Sequence, residues 1–392
     1  MSTQLKVSSP RLAEGEQRAA ERAGPARYPY EMSSDILDRD AYSVVQKLHR
    51  AGYVSYFVGG CVRDSLLGQH PKDFDIATSA RPRDLRQTFR NCRLIGKRFT
   101  LAHVLFPQDK VIEVATFRQR PSEEDQEDGL IVQDNEFGTA ESDAQRRDFT
   151  INALYYDPLR REIIDYCDGM SDVYHRVLRS IGDPQVRFRE DPIRMLRAIK
   201  FAARLNLSFE PSLAAALRSE RLECLKAARP RFSQEVVRML QGGGARRSYE
   251  LLEELGFLGL LIPELAASWA RDPEVRAKTL DLLSALDALL ASPTRAAVTL
   301  DEPALLALLW WHTYEALTAP LAANQRQAKL IALRLTAPFM SRVRFSIKHL
   351  HQCARHLSSL SLAARARALS PEELLSALSA PAPRPRARER AR

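Results

Sequence analysis

The pattern of apolar and polar positions changes near Gly182. Before it, residues 53–58 and 74–78 form short apolar, β-branched runs typical of strands, and Val111–Thr116 is a third such run. Residues 37–49 instead repeat their apolar positions at helical spacing. After Gly182 the strand patterns fade, and Leu- and Ala-rich helical patterns continue almost to the end. We therefore expect an α+β head followed by all-α parts.

Both ends of the chain lack the pattern of a folded core. Residues 1–33 are polar and aperiodic, which predicts a disordered N-terminal segment. Residues 379–392 alternate small residues or proline with arginine, which predicts a basic C-terminal tail. Between them we expect three parts, namely a head (34–170), a helical neck (171–240) and a helical body (241–378). Three successive glycines at 242–244 predict a bend where neck and body meet.

Composition narrows the class of protein. The chain has 392 residues, of which 45% are hydrophobic and 27% charged, and no apolar run approaches the roughly 20 residues of a membrane span. Five scattered cysteines without a Cys-x-x-Cys pair favour neither a disulfide framework nor a thiolate zinc site, so we expect a cytoplasmic protein. The net charge of +9 fits a polyanionic partner and equally fits a solvated basic surface.

A double glycine, an arginine and two closely spaced aspartates suggest a chemical site. Gly59 and Gly60 lack a Cβ and therefore let a phosphate approach the backbone, while Arg63 offers a fork of donors. Asp73 and Asp75 stand two residues apart, so on a strand their carboxylates project from one face. Such oxygen ligands suit Mg²⁺. The pattern predicts a site for a nucleoside triphosphate and two metal ions, although an isolated Asp-x-Asp also occurs in surface strands and turns.

Three residues further along could complete this site. Glu113, inside Val111–Thr116, is either a third metal-facing carboxylate or an edge-strand charge. Arg147 could meet the triphosphate, and Asp148 could steer that arginine or a ribose hydroxyl. Asp148 could equally be a helix cap. The residues by themselves leave these roles open.

A row of charges recurs in the first helical pattern after Gly182. Pro192 is favoured at the first helical position, which would place Asp191 at the N-cap. Asp191, Arg194, Arg197 and Lys200 recur every three residues and would share one face. One interpretation is the basic, exposed face of an ordinary amphipathic helix. The other is a carboxylate and a guanidinium that present an acceptor and a donor to a nucleobase edge.

Four ordered motifs together resemble the class II nucleotidyltransferases, the superfamily of tRNA CCA-adding enzymes and bacterial poly(A) polymerases. The motifs are Gly-Gly-Cys-Val-Arg-Asp, Asp-Phe-Asp, Arg-Arg-Asp-Phe-Thr-Ile-Asn and Glu-Asp-Pro-Ile-Arg-Met-Leu-Arg-Ala, within residues 37–265. The resemblance implies a polymerase-β-like catalytic head, a helical neck that recognises the nucleotide and binds RNA, and a helical body that binds RNA. It also implies template-independent transfer of AMP from ATP to an RNA 3′ end, with two Mg²⁺ as cofactors. Segments 89–99 and 187–192 and the arginine-rich tail are more similar to the poly(A) polymerase branch.

The same resemblance implies a role for each matching position. Asp73 and Asp75 would bind the metals, Glu113 matches a third acidic position, and Asp148 would complete the triphosphate site. Eight positions would bind the nucleotide, namely Gly59, Gly60, Arg63 and Arg147 at the triphosphate and Asp191, Arg194, Arg197 and Lys200 at the base.

The expected partners are ATP and an RNA 3′ end, with no DNA and no membrane span, and protein partners stay open. Two alternatives stay open as well. A CCA-adding enzyme shares every catalytic motif, and a non-catalytic RNA-binding protein could be built on a decayed enzyme. The intact pair Asp73 and Asp75 argues against the second.

Removal of residues 381–392 should weaken RNA binding, because the arginines of this segment can track a phosphate backbone. For single strands, log K should fall less steeply with log[salt], by about 0.7 for each lost phosphate contact. Binding of RNA to full-length and truncated protein across a salt series checks this. Transfer of one nucleotide at saturating RNA should survive, and equal slopes would mean that the tail does not bind RNA.

Overall fold

The computed structural model describes residues 24–96, 100–119, 126–127, 130–131, 136–292, 300–319, 321, 324–364 and 369–379. The chain forms two compact units. Unit 1 comprises Met1–His175 and Arg179–Gly182, and unit 2 comprises Arg176–Leu178 and Asp183–Arg392. The expected neck and body thus lie mostly within one unit, and the tail lies outside the described residues.

A mixed sheet forms the centre of unit 1. Its strands and a separate hairpin are β1 (Ala26–Pro29), β2 (Ser55–Val58), β3 (Ile76–Thr78), β4 (Cys92–Ile95), β5 (Leu101–Leu105), β6 (Val111–Thr116), β7 (Gln126–Glu127), β8 (Leu130–Ile131), β9 (Leu154–Asp157) and β10 (Glu162–Asp165). The eight-stranded sheet has the order β1-β10-β9-β2-β3-β6-β5-β4, and β7 pairs with β8. Within this eight-stranded sheet, β3 and β6 pair in parallel and the other neighbours are antiparallel.

Short helices cover this sheet. They are α1 (Arg39–Arg50), α2 (Gly60–Leu66), α3 (Pro82–Thr88), α4 (Ala140–Gln145) and α5 (Gly169–His175), with a 3₁₀ turn at Thr150–Asn152. The carboxylate of Asp38 caps α1 by accepting from the backbone N–H groups of Asp40 and Ala41. The helix buries the apolar positions whose spacing predicted it, including Val44 and Leu48.

The three strand predictions are confirmed, but the disordered segment predicted for residues 1–33 is wrong at its end. Residues 1–23 lie outside the described part, whereas β1 pairs with β10 and Met32 is buried. Tyr28, Tyr30 and Met32 alternate with polar residues, which is the pattern of a half-buried strand. The ring of Tyr30 packs edge-on against Tyr156, with centroids 5.7 Å apart. Aromatic burial therefore orders this edge of the sheet.

Unit 2 is helical, as the second half of the pattern predicted. Its elements are β11 (Val177–Leu178), α6 (Pro184–Glu190), α7 (Ile193–Leu205), β12 (Ser208–Phe209), α8 (Pro211–Ser219), α9 (Arg229–Gln241), α10 (Ala245–Glu254), α11 (Leu258–Leu261), α12 (Pro263–Arg271), α13 (Pro273–Ala291), α14 (Glu302–Thr318), α15 (Gln325–Arg342), α16 (Ile347–Ala364) and α17 (Pro371–Ser379). A 3₁₀ turn follows α8 at Arg221–Lys226, and β11 pairs in parallel with β12. Trp310 and Trp311 are buried, as expected of core residues in a Leu-rich helix.

The glycine triplet makes the bend that the sequence predicted. Helix α9 ends at Gln241 and α10 begins at Ala245. Gly243 has a left-handed φ of +78°. A Cβ on Gly244 would come within 2.7 Å of Cα of Arg204 in α7, so only glycine allows this backbone approach.

Within the described ranges, no helix is long and apolar enough to cross a bilayer.

Candidate nucleotide-binding site

The turn after β2 needs a glycine for two reasons. Gly59 has φ +73°, which is strained for any residue with a Cβ, and it leads directly into α2. A Cβ at this position would also lie 3.4 Å from Nη1 of Arg147, which is the lower limit of ordinary van der Waals contact. The backbone of this turn and the guanidinium of Arg147 are therefore neighbours. Gly60 begins the seven-residue helix α2.

Asp73 and Asp75 lie just before β3 rather than within it, yet they keep the alternation of a strand. Both are exposed, whereas Phe74 between them is buried and packs its ring 5.2 Å from that of Phe57. The backbone N–H of Val58 donates to the carbonyl of Asp75 at 3.0 Å, which continues the pairing of β2 with β3. Both carboxylates therefore leave the backbone away from the core.

Glu113 enters the same neighbourhood through the parallel pair of strands. In the β3–β6 register Ile76 faces Val114, so Asp75 and Glu113 each stand one position earlier at the same end of the pair. Asp75 keeps contact with solvent, but the surrounding protein withdraws part of its hydration. This desolvation, with the negative charges of Glu113 and Asp73, raises the pKa of Asp75 to about 6, while Arg147 lowers it. Such mutual repulsion between carboxylates is the condition that a bound cation relieves.

The carboxylates do not by themselves form a complete metal cage. Across the described ranges, no group of three or more His, Cys, Asp and Glu side chains is arranged to hold a metal ion. Glu113 instead contacts Nε2 of His103 at 3.3 Å, across the β5–β6 pair. The imidazole of His103 is only partly buried. Mg²⁺ commonly takes one or two carboxylates and completes its shell with water and substrate phosphates, so an exposed pair of aspartates suits it.

Arg63 lies in the interior of unit 1. Its Nε and Nη2 donate to Oδ1 of Asp64 at 2.8 and 2.6 Å, and its Nη1 donates to Oδ1 of Asn152. Asp64 therefore holds the arginine in place. Asn152 in turn donates from Nδ2 to Oδ1 of Asp148 at 3.0 Å. This buried chain of hydrogen bonds links the double-glycine motif to the Arg-Arg-Asp motif.

Arg147 is held by a buried carboxylate that sequence reasoning missed. Asp143 accepts from Nε and Nη2 of Arg147 at 3.2 and 3.0 Å and from the hydroxyl of Tyr155 at 2.7 Å. It also accepts from Nε of Arg146 at 3.0 Å. Despite its burial, which acts in the opposite sense, the charges of Arg147 and Arg146 hold the pKa of Asp143 far below its usual range. The spacing of Asp143 four residues before Arg147 was the available signal.

Asp148 acts locally. Its Oδ1 accepts from the backbone N–H of Phe149 at 2.9 Å as well as from Asn152. The bonds lie at the start of the 3₁₀ turn Thr150–Asn152, so the local capping interpretation describes these contacts. Asn152 also accepts Nη1 of Arg147 on its carbonyl at 3.3 Å. Asn152 thus contacts both arginines of the site, a role that the sequence did not indicate.

In unit 2, Asp191 does not cap α7, which corrects the expectation from the sequence. The helix begins at Ile193 after Pro192, and Asp191 is the C-cap residue that follows α6. Its two carboxylate oxygens accept from Nη1 and Nη2 of Arg231, at 2.6 and 2.9 Å. This bidentate ion pair with α9 orients the carboxylate away from the helix N–H groups. Nothing in the local pattern pointed to Arg231, which stands forty residues away.

The charges of α7 do not form a solvated basic face. Arg194 is 9% exposed and Lys200 is 8% exposed, while Arg197 is partly buried. Nη1 of Arg194 donates to the carbonyl of Arg187 at 3.4 Å and lies 3.6 Å from Glu190. The ammonium of Lys200 lies 2.5 Å from Glu235 of α9, and burial lowers the pKa of Lys200 to about 8. Ionic groups buried at this cost indicate a role beyond solubility.

Comparison with known proteins identifies the class. Residues 55–179 match the family described as the poly(A) polymerase head domain. Residues 206–268 match a domain described as a probable RNA- and SrmB-binding site of polymerase A. These matches show that the chain contains a poly(A) polymerase head domain and a domain of the RNA-binding type found in such enzymes, and they agree with the nucleotidyltransferase class inferred from the motifs.

Particular relatives fall in both branches of that class. Poly(A) polymerase I of Haemophilus influenzae is 45% identical over 247 residues, which cover 61% of this chain and 54% of the relative. A CCA-adding enzyme of Lactobacillus helveticus is 35% identical over 213 residues, covering 54% of this chain and 52% of the relative. The chain therefore spans about half the length of the curated relatives it matches.

A solved structure supports the polymerase-β-like fold. The Bacillus stearothermophilus CCA-adding enzyme in complex with CTP has a TM-score of 0.59 and 28% identity to this chain. The alignment covers 86% of this chain and 74% of that structure. The fold expected from the motifs is confirmed.

Replacing Asp143 by Asn should lower the free energy of unfolding by about 3–5 kcal/mol, because it leaves buried guanidinium groups without their carboxylate. The folded pKa of Asp143 is depressed, so its contribution is present above its ordinary pKa of 3.8 and fades as pH falls below that value. The difference between wild type and variant should thus stay nearly constant from pH 7 to pH 5 and shrink as the pH falls below about 4. Urea unfolding at pH 7, 5, 4 and 3 checks this.

The milder variant Tyr155→Phe removes one hydrogen bond to the same carboxylate and should lower the free energy of unfolding by about 1.5–3 kcal/mol at neutral pH. If the difference in unfolding free energy between wild type and Asp143→Asn did not vary with pH, the ion-pair explanation would be contradicted.

Proposed function

We propose that the protein adds AMP from ATP to RNA 3′ ends without a template, as a poly(A) polymerase. The observation that carries this choice is the higher identity to relatives named Poly(A) polymerase I, 45% against 35% for a CCA-adding enzyme. The geometry of the site supports the step that both activities share. Because the chain spans about half of those relatives, RNA choice and tail length are further questions for experiment.

The triphosphate would lie against the turn at Gly59 and Gly60. The guanidinium of Arg147 already neighbours this turn, and Asp143 and Tyr155 fix its position. Arg63 supports the turn from the interior, where it is bound to Asp64 and Asn152. Asp148 contributes by holding Asn152. In this arrangement Arg147 binds phosphate, and Arg63 acts through the backbone that it stabilises.

Asp73 and Asp75 would hold Mg²⁺, with Glu113 as the third carboxylate of the neighbourhood. Glu113 is the better candidate than Asp148 because it stands beside Asp75 in the strand register and raises its pKa. Two Mg²⁺ bound there would activate the RNA 3′-hydroxyl and neutralise negative charge on the departing pyrophosphate. The protein's own part is to keep both carboxylates exposed and charged and to position the phosphates.

The reaction joins the RNA 3′-oxygen to the α-phosphorus of ATP. The bond between the α-phosphorus and the α–β bridging oxygen breaks, pyrophosphate leaves, and the hydroxyl proton is released. Arg147 would bind the phosphates that carry the departing charge. Positioning and electrostatic stabilisation account for most catalysis in transfers of this type.

Base choice would depend on α7 and the residue before it. Asp191 offers an acceptor and Arg194 a donor, and ion pairs with Arg231 and Glu190 restrain the two side chains. Arg197 and Lys200 would lie beside them, with Lys200 fixed by Glu235. A restrained pair favours one base over another, because an ill-matched edge leaves buried polar groups unpaired.

The distinguishing experiment offers each nucleotide separately to a tRNA that lacks CCA and to an oligonucleotide ending in A. Long A tracts on both RNAs from ATP alone support polyadenylation. Ordered addition of C, C and A to the tRNA alone would identify a CCA-adding enzyme, and no extension of either RNA would favour a non-catalytic RNA-binding protein.

Asp73→Asn and Asp75→Asn should each lower AMP transfer by about 10³-fold or more, because metal-supplied charge stabilisation is worth several kcal/mol. Both variants should stay folded, since the two side chains are exposed. The matched control is Asp109→Asn, which removes the same charge from an exposed turn of unit 1. Single-turnover primer extension and thermal unfolding test this. Near-normal turnover in a folded Asp75→Asn protein would refute the assignment.

Arg194→Ala should reduce the preference for ATP over CTP by about 5- to 150-fold, as loss of a base contact worth about 1–3 kcal/mol implies. Binding of the triphosphate should change less. Incorporation of all four nucleotides, measured as kcat/KM, gives the ratio. Arg194→Lys keeps the charge but not the planar fork, so it separates base recognition from simple charge loss. An unchanged ATP/CTP ratio in Arg194→Ala would show that this helix is structural.

A further inference from the structure

One long segment of unit 2 contains no acidic residue. The chain carries 49 Asp and Glu among 392 residues, or one in eight, yet none stands between Glu315 and Glu372. The same segment contains nine basic residues, namely Arg326, Lys329, Arg334, Arg342, Arg344, Lys348, Arg355, Arg365 and Arg367. The described part of this segment includes α15 and α16, an antiparallel pair joined by a short turn at Arg344. We call residues 324–364 the basic hairpin.

The basic side chains of this hairpin lie on its outer surface. Arg326 and Arg334 are exposed on α15, Arg344 is exposed in the turn, and Lys348 is exposed on the first turn of α16. The opposite sides of both helices are buried against the helical core through small and apolar residues, including Ala328, Ala332, Phe339, Cys353 and Leu357. The cations are therefore not needed to pack the hairpin.

Several surface cations elsewhere in unit 2 are neutralised by nearby carboxylates. Arg246 and Arg247 of α10 pair with glutamates of the same helix, and Arg276 of α13 pairs with Glu253 at 2.7 Å. The basic hairpin has fewer such pairs. Arg342 pairs with Glu264, and His349 and His356 lie near Glu302 and Asp301 at the start of α14.

For the exposed cations Arg326, Arg334, Arg344 and Lys348, no carboxylate of the described residues lies within ion-pair distance. Their full positive charge consequently faces solvent, where it attracts a polyanion.

We infer that the basic hairpin is a binding surface for the phosphate backbone of single-stranded RNA. The inference rests on the proposed function for the choice of RNA. It adds a surface beyond residues 206–268, the region matched by the RNA-binding family. A lipid surface fits less well, because a helix lying on a bilayer must present a continuous apolar face, and here that face is buried in the protein.

The test variant is the full chain with Arg326, Arg334 and Lys348 replaced by Gln, a good helix former. The matched control replaces Arg271, Arg276 and Lys278 by Gln. It removes the same number of charges from α12 and α13, outside both the hairpin and residues 206–268. Binding of a fluorescent single-stranded RNA is measured by anisotropy without nucleotide, from 50 to 500 mM salt.

The hairpin variant should bind RNA about 50-fold more weakly at 0.15 M salt, with a log K against log[salt] slope smaller by about 2, as three phosphate contacts predict. The control should resemble wild type. Equal losses in both variants, or a wild-type slope in the hairpin variant, would overturn the inference. So would loss of binding to anionic phosphatidylserine vesicles with RNA binding intact.

Transfer of one AMP at saturating RNA separates the two proposals. It should be normal in the hairpin variant, because none of the three residues belongs to the catalytic site. If wild type transfers no AMP to any RNA, the proposed function fails. The binding comparison still tests whether the basic hairpin binds RNA.

Discussion

Burial of the Asp143 carboxylate between two guanidinium groups and a tyrosine hydroxyl is the interaction on which the rest of the first unit depends. It compensates the desolvation of Arg147 and Arg146, which would otherwise be prohibitively costly in a partly buried position. Once fixed, Arg147 lies beside the left-handed turn at Gly59 and bonds to the carbonyl of Asn152. One buried anion thereby ties the turn after β2 to the segment before β9, and it fixes a positive charge beside that turn.

The parallel pairing of β3 with β6 supplies the opposite charge. It brings Asp75 and Glu113 to the same end of neighbouring strands, where burial and the negative charge of Glu113 raise the pKa of Asp75. The unit thus combines a fixed guanidinium with a group of carboxylates that a cation would stabilise. The carboxylates depend on strands that the sheet order brings together.

The second unit treats charge in two different ways. Around α7, Asp191 and Lys200 are restrained by Arg231 and Glu235 of α9, so donors and acceptors are held in fixed directions. On the hairpin of α15 and α16, exposed cations have no such partners among the described residues. Restrained pairs suit discrimination of a base edge, whereas unpaired surface cations suit contact with a uniform backbone. Unit 2 therefore carries two different arrangements of charge, one internal and one on the surface.

The sequence by itself determined the α+β head, the helical remainder, the bend at residues 242–244 and the resemblance to nucleotidyltransferases, because these follow from local periodicity, glycine geometry and short ordered motifs. It also indicated the exposed positions of Asp73 and Asp75, since strand alternation is a local property. Only the tertiary structure decided what each charge contacts. The bonds of Asp143 to Tyr155, of Asn152 to Arg63, and of Arg231 to Asp191 join residues whose distance depends on packing. The edge strand β1 was also missed, because it follows a polar segment and because the packing of Tyr30 against Tyr156 requires the finished sheet.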